Sequence, residues 1–301
     1  MSYSRKSVLA AALVLLTPFG ASAKKPASEA EPAPAPALWR VSDDDSSIFL
    51  FGAIGLSPQG ASWRSRAVGR AIDASETLWF EASVDDPAAQ AAANKIFSGE
   101  GLLPKGKQLS SLLPADAAAS FATTLDLAGF TPAAIEPLRP WSAFVLLSSR
   151  IEPEASPETV DAAILREARS RERQIKYFET VEDSLRRLTG MPQKVQLEIL
   201  SQLIVDFESQ RADAREGFDA WRTGDLAGAD AHLNEALREA SPAAYQVLVT
   251  DRIDTLSGAI EAILKAPETA FVSLNASYVV GSGSLPEALA ARGLRVERVG
   301  E

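Results

Sequence analysis

The order strand–turn–strand–helix–strand across residues 37–80 limits the folds open to this chain more than any other feature. Ala37–Val41 and Ser47–Phe51 are short apolar runs flanking the polar cluster Ser42-Asp43-Asp44-Asp45-Ser46, which marks a hairpin turn. Gly52-Ala53-Ile54-Gly55 leads out of the second run. Trp63–Ala74 then has helical spacing, with Ala67, Ala71 and Ala74 on one face and Arg64, Arg66 and Arg70 largely elsewhere. Thr77–Phe80 is an apolar strand that gives out at Glu81. Strands separated by a helix can pair in parallel, with the crossing helix lying over the sheet. The expected class is α/β, a mixed β-sheet with parallel pairing covered by helices.

The rest of the chain adds helix more than strand. Residues 87–170 are Ala/Leu-rich and punctuated by Pro104, Pro114, Pro132, Pro137, Pro140 and Pro153. Thr159–Ser170 reads as a helix and Gln174–Phe178 as a strand that ends at Glu179. Glu182–Leu264 is again helical, broken at Thr189-Gly190-Met191-Pro192 and at Thr223-Gly224-Asp225. Ala270–Val280 reads as a buried strand, Ser284–Arg292 as a helix closed by Gly293, and Leu294–Val299 as a last strand. So much helix in the middle implies a large helical layer or subdomain over the sheet.

The start of the chain has a separate signature. Arg5 and Lys6 precede the apolar stretch Ser7–Gly20, and Ala21-Ser22-Ala23 supplies a small-x-small cleavage site. The apolar run is interrupted at Pro18 and falls short of the roughly 20 residues a membrane span needs. Residues 1–23 therefore read as a signal peptide cleaved after Ala23, for a periplasmic or secreted product with no stable membrane insertion. Residues 24–36, KKPASEAEPAPAP, read as a Pro/Ala-rich linker, and 37–301 as one domain. The chain contains no cysteine, so neither a lipid anchor nor a disulfide is available. Its net charge is −10, and it becomes −12 once Arg5 and Lys6 leave with a segment that carries no acid. A balance that acidic argues against nucleic acid as a partner.

A few residues stand out chemically. Leu78-Trp79-Phe80-Glu81 and Lys176-Tyr177-Phe178-Glu179 each set a carboxylate at the end of a strand, where α/β sheets collect ligands. Two such groups can act as metal ligands or as an acid/base pair; equally, each can be a strand-end charge in water. Gly52 and Gly55 allow close backbone approach at a strand exit, or form an ordinary turn. Gly281-Ser282-Gly283-Ser284 opens a helix but lacks the lysine of a phosphate loop, and reads as a plain loop. His232, the single histidine, lies in the helical run Leu226–Leu237 with no second imidazole or thiolate to share a metal. No Gly-x-Ser-x-Gly elbow is present.

These pieces occur in an order that resembles the TraB/GumN proteins, which include the Tiki-type metalloproteases. The resemblance begins with Ala37-Leu38-Trp39-Arg40-Val41, Ile48-Phe49-Leu50-Phe51-Gly52-Ala53-Ile54-Gly55 and Leu78-Trp79-Phe80-Glu81. It continues through Arg139-Pro140-Trp141, Val160-Asp161, Phe178-Glu179-Thr180-Val181-Glu182 and Trp221 with Gly224-Asp225, and it closes with the segment from Phe271 to Val299. Activity in that family rests on a Gly-x-x-His after the early strand, a following glutamate and a late Gly-x-Gly-His-Leu. The first histidine falls on Gly55, the glutamate on Glu81, and the late motif on Asn275-Ala276-Ser277-Tyr278-Val279, with Tyr278 at the second histidine. The family's Arg-Asn falls on Arg252-Ile253.

Both imidazoles are missing, and a phenol with a pKa near 10 is a poor ligand at neutral pH. The resemblance thus implies a domain that has lost metal-dependent hydrolysis, with no metal and no cofactor. It would bind a peptide, protein or small molecule in a cleft lined by Gly52, Gly55, Glu81, Glu179, Arg252, Asn275 and Tyr278. One rival is an active hydrolase of altered mechanism, with Glu81 and Glu179 as its catalytic acid and base and Tyr278 or Arg252 as electrophile, or with the two carboxylates as a residual metal site. Another is an interaction protein that works through the helical layer.

Overall fold

A computed structural model describes residues 32–300 apart from 56, 84, 85, 153 and 157. The cleavable segment expected at 1–23 and most of the linker lie outside the described residues. The last linker residues are held against the domain: Ala35 N donates to Arg222 O at 2.8 Å, and Arg222 Nη1 donates to Pro32 O at 2.7 Å.

The sheet has six strands: β1 (Leu38–Ser42), β2 (Ser47–Ala53), β3 (Thr77–Phe80), β4 (Gln174–Tyr177), β5 (Thr269–Asn275) and β6 (Arg295–Arg298), in the order β4-β3-β5-β2-β1-β6. β1 pairs antiparallel with β2 and β6, whereas β2–β5, β5–β3 and β3–β4 are all parallel. The mixed sheet with parallel pairing is therefore present as expected. The β1–β2 turn forms because the Asp43 carboxylate accepts from Ser46 N at 2.9 Å, a local bond that competes with extended pairing. β5 is central, and Ala270 through Leu274 are all buried, as a strand covered on both faces requires.

One covering helix, Arg66–Ala74, buries Ala67, Val68, Ala71 and Ile72. It starts later than Trp63 because the Ser65 side chain caps it, accepting from Val68 N at 3.1 Å. Ala74 is exposed at its end, so the expected alanine face turns toward the bulkier Val68 and Ile72.

The helical layer is built on Gln193–Thr223, a helix of 31 residues packed against the helices Ala115–Ala128 and Pro140–Ser148. Its buried stripe runs through Leu200, Leu203, Phe207 and Phe218 to Trp221. Both expected breaks occur. Met191 is extended before Pro192, and Gly224 ends the long helix at φ +73°, a left-handed conformation that costs glycine little.

Two further segments differ from the sequence reading. The strand expected over Ala270–Val280 stops at Asn275, whose side chain accepts from Ser277 N at 3.0 Å and starts the tight turn Ala276–Tyr278. The helix expected over Leu226–Leu237 widens into a π turn at Ala231–Glu235, where Asn234 Nδ2 reaches Ser277 O at 3.0 Å. Among the described residues no helix is long and apolar enough to cross a membrane.

Candidate functional site

Because β2, β5, β3 and β4 are mutually parallel, their carboxyl ends share one edge of the sheet. Glu81 follows β3 directly. Past β4 the ladder continues, with Phe178 N donating to Phe80 O and Glu179 N donating to Glu81 O, both at 3.0 Å. Glu81 and Glu179, 98 positions apart in sequence, thus leave adjacent strands side by side.

A guanidinium stands between them. Arg252, on the helix Asp251–Ile263 and only 5% exposed, sets Nε 3.7 Å from Glu81 Oε1 and Nη2 3.1 Å from Glu179 Oε2. Glu179 is also gripped by the next helix, Val181–Gly190. Arg187 Nη1 and Nη2 each lie 2.6 Å from one of its oxygens, and the Ser184 hydroxyl donates to Oε1. The capping box between Thr180 and Asp183 fixes where that helix starts, and so delivers Ser184 and Arg187 to one face.

The late segment closes the site from β5. Asn275 N donates to Glu81 Oε2 at 3.0 Å, and the turn it initiates carries Tyr278 into a buried position. That turn lies hard against β2 at Gly52. A Cβ there would overlap Val279 Cγ2 and come within 3.0 Å of the Ala276 Cα, so this position has no room for a side chain. The Gly52 carbonyl accepts from Trp221 Nε1 at 2.7 Å, which ties the long helix to the same edge. Gly55 lies half-buried in the bend after β2 and presents no side-chain donor.

Asp161 was not singled out as a site residue from sequence. It sits in the first turn of the helix Val160–Ser170 and accepts from Ser273 Oγ at 2.5 Å. Burial raises its carboxyl, with the Ser273 hydroxyl pulling the other way. Burial also pushes Glu81 up to about 7; Arg252 and the Asn275 N–H oppose this, while the like charges of Asp161 and Glu179 add to it. Glu81 nevertheless keeps 23% of its side chain in contact with solvent, so protons can reach it. Tyr278 is driven well above the ordinary phenol range, first by burial and then by Glu81, and stays protonated.

This donor set does not fit a transition metal. Gly55 has no side chain, Tyr278 holds its proton, and the Arg252 cation lies within ion-pair range of both strand-end carboxylates. Among the described residues no group of three or more His, Cys, Asp or Glu converges as a metal site. His232 Nδ1 pairs with Gly228 O of its own helix at 3.0 Å. The Gly281–Ser284 loop is a plain loop, as read. Gly283 N donates to Glu287 Oε2 at 2.8 Å, and the Asp230 carboxylate crowds Gly281, which would repel an anion.

No curated protein and no solved structure matches the chain. A family model described as the TraB/PrgY/gumN family matches residues 37–298, which takes in all six strands and every residue of the site. The chain belongs to the TraB/PrgY/gumN family.

Proposed function

We propose that this is an exported protein whose domain binds a peptide, protein or small-molecule ligand at the carboxyl edge of its sheet and does not carry out metal-dependent hydrolysis. One observation carries the reading: Arg252 lies in ion-pair range of Glu81 and Glu179, so the two carboxylates already have an internal cation. Metal hydrolysis needs an ion that acidifies a bound water and polarises the carbonyl, and carboxylates without nitrogen ligands hold such an ion weakly. Titration calorimetry with manganese, cobalt and zinc, paired with a peptide-library digest under each metal, tests this. Neither binding nor cleavage is expected. Micromolar binding lost on Glu81→Ala, together with metal-dependent cleavage, would overturn it. Metal binding gained in a Gly55→His, Tyr278→His double variant would support this edge as the place where the chemistry was lost. Export is tested separately, by N-terminal sequencing of the periplasmic product, which should begin at Lys24.

A second reading is favoured by a different observation. A carboxyl pushed up to about 7 is poised for general acid–base work near neutral pH. On that reading Glu81 exchanges the proton while Glu179 holds Arg252 as electrophile. It requires chelator-insensitive hydrolysis that disappears in Glu81→Gln.

A further inference from the structure

Arg252 presents an unfilled fork. Its Nε and Nη2 are buried, and among the described residues neither has an aligned hydrogen-bond acceptor, although Glu81 and Glu179 lie at ion-pair range. The same edge of a guanidinium is filled elsewhere in the molecule. Arg166 Nε and Nη2 bind the two oxygens of Glu158 at 2.7 and 3.0 Å. At Arg252 the edge straddles two different carboxylates and matches neither. Glu179 is committed to Arg187 and Ser184, and Glu81 Oε2 is committed to Asn275 N. A buried donor pair left unmatched is costly, and the group that fits this edge is a planar oxyanion accepting both N–H bonds.

From this geometry we infer that the site takes a ligand carboxylate, bound bidentate by Nε–H and Nη2–H of Arg252. The inference rests on the binding role proposed above and names its ligand class. Charge balance agrees with it. The groups facing Glu81 are Arg252, Arg187, Asp161, Glu179 and Tyr278. With Glu81 protonated, two guanidinia stand opposite Glu179 and Asp161, and the cluster has no net negative charge to repel an anion. With Glu81 ionised as well, the cluster carries a net negative charge and repels an anion. Glu81 and Asp161 are both pushed toward their neutral forms by burial, so ligand binding draws in a proton. Glu81 is more exposed than Glu179 or Arg252. Once neutral it loses its attraction to Arg252 and can move aside to open the fork.

The experiment titrates the full mature chain with acetate, with N-acetyl-trialanine bearing a free carboxylate, and with the corresponding amide, by calorimetry at about pH 6 and about pH 8. Both carboxylates should bind at the lower pH and the amide should not; proton uptake, read by comparing buffers of different ionisation enthalpy, should be small at about pH 6 and approach one at about pH 8. Affinity should fall up to about tenfold per pH unit above the titration of Glu81. Tighter binding of the peptide than of acetate identifies a peptide C-terminus as the source; equal affinities identify a small carboxylate. Arg252→Gln should weaken binding at least about tenfold. Glu81→Gln should bind with little pH dependence, and this arm decides the matter if the arginine variant fails to fold. No carboxylate binding to folded protein at the lower pH, or unchanged affinity in a folded Arg252→Gln, overturns the inference while leaving the metal-free binding role standing. Metal-dependent cleavage removes that role without touching the carboxylate result.

Discussion

Replacing Glu81 by glutamine should make the protein more stable at alkaline pH while changing little under acid conditions. Glu81 binds its proton more tightly in the folded chain than in the unfolded one, with its carboxyl at about 7 against an ordinary 4.5. Its contribution to stability is therefore complete below about 4.5, falls as the pH rises through about 7, and is absent above that. At about 1.4 kcal/mol per pH unit, the whole step is worth about 3 kcal/mol. Glutamine has nearly the same shape, can still accept from Asn275 N, and has no such step. Every other titration is nearly common to both proteins and largely cancels in their difference. Urea unfolding of both proteins across pH 4 to 9, taken at about unit intervals, gives that difference directly. The advantage of Glu81→Gln should grow by about 3 kcal/mol and level off above pH 8. A flat difference would mean that Arg252 offsets burial at Glu81, and an advantage that falls with pH would mean that Arg252 dominates; in either case the account of this site would fail.

Three further outcomes follow from the same contacts. Asp161→Asn removes a like charge from beside Glu81, so the Glu81 titration should move to lower pH in carbon-detected NMR; an unmoved midpoint would place Asp161 outside the cluster. Gly52→Ala should cost about 1–3 kcal/mol, read from the thermal midpoint, because its methyl overlaps Val279 Cγ2 and the Ala276 backbone has little room to yield. Trp221→Phe leaves the Gly52 carbonyl without its donor and should cost about 1–3 kcal/mol, with the Asn275–Tyr278 turn among the first amides to gain hydrogen exchange.

What was legible in the sequence depended on the range of the interaction. The β1–β2 turn, the Thr180 cap and the Gly224 stop are decided within a few residues, and each occurs where its local chemistry places it. Glu81 and Glu179 are visible because each stands where a strand gives out. That the two strands are neighbours is a fact of parallel register, which no local pattern encodes. Asp161 was hidden for the opposite reason. An acid in the first turn of a helix is an ordinary favourable placement, and only Ser273 on β5 makes it part of the site. Arg187 reads as a surface arginine, although Glu179, Ser184 and Arg187 do fall at spacings that a capped helix can bring together. The π turn at Ala231–Glu235 has no composition of its own; it is visible only through Asn234 reaching across to Ser277. The strand over Ala270–Val280 was overextended because apolar residues continue past Asn275, and burial under the π turn looks the same in sequence as burial in a sheet.

Stability by itself does not account for the cluster at the strand ends. Burying Arg252 between Glu81 and Glu179 withdraws several charges from water, and their mutual attraction rarely returns more than that costs. An apolar set of similar volume would hold β3, β4 and β5 together at least as well, as Leu78, Phe271 and Val272 already do one layer deeper. The arrangement is also unbalanced in a particular way. Glu179 already accepts three hydrogen bonds from Arg187 and Ser184, Glu81 is raised toward neutrality, and Arg252 keeps two buried donors without aligned acceptors. An ion-pair network serving only the fold would settle those donors internally, as Arg166 does with Glu158. The unsettled edge lies at the carboxyl ends of parallel strands, where α/β proteins bind their ligands, and Glu81, a carboxylate that can gain a proton near neutral pH, stands beside it. Proton uptake and anion binding at this edge are therefore expected to be a single linked event.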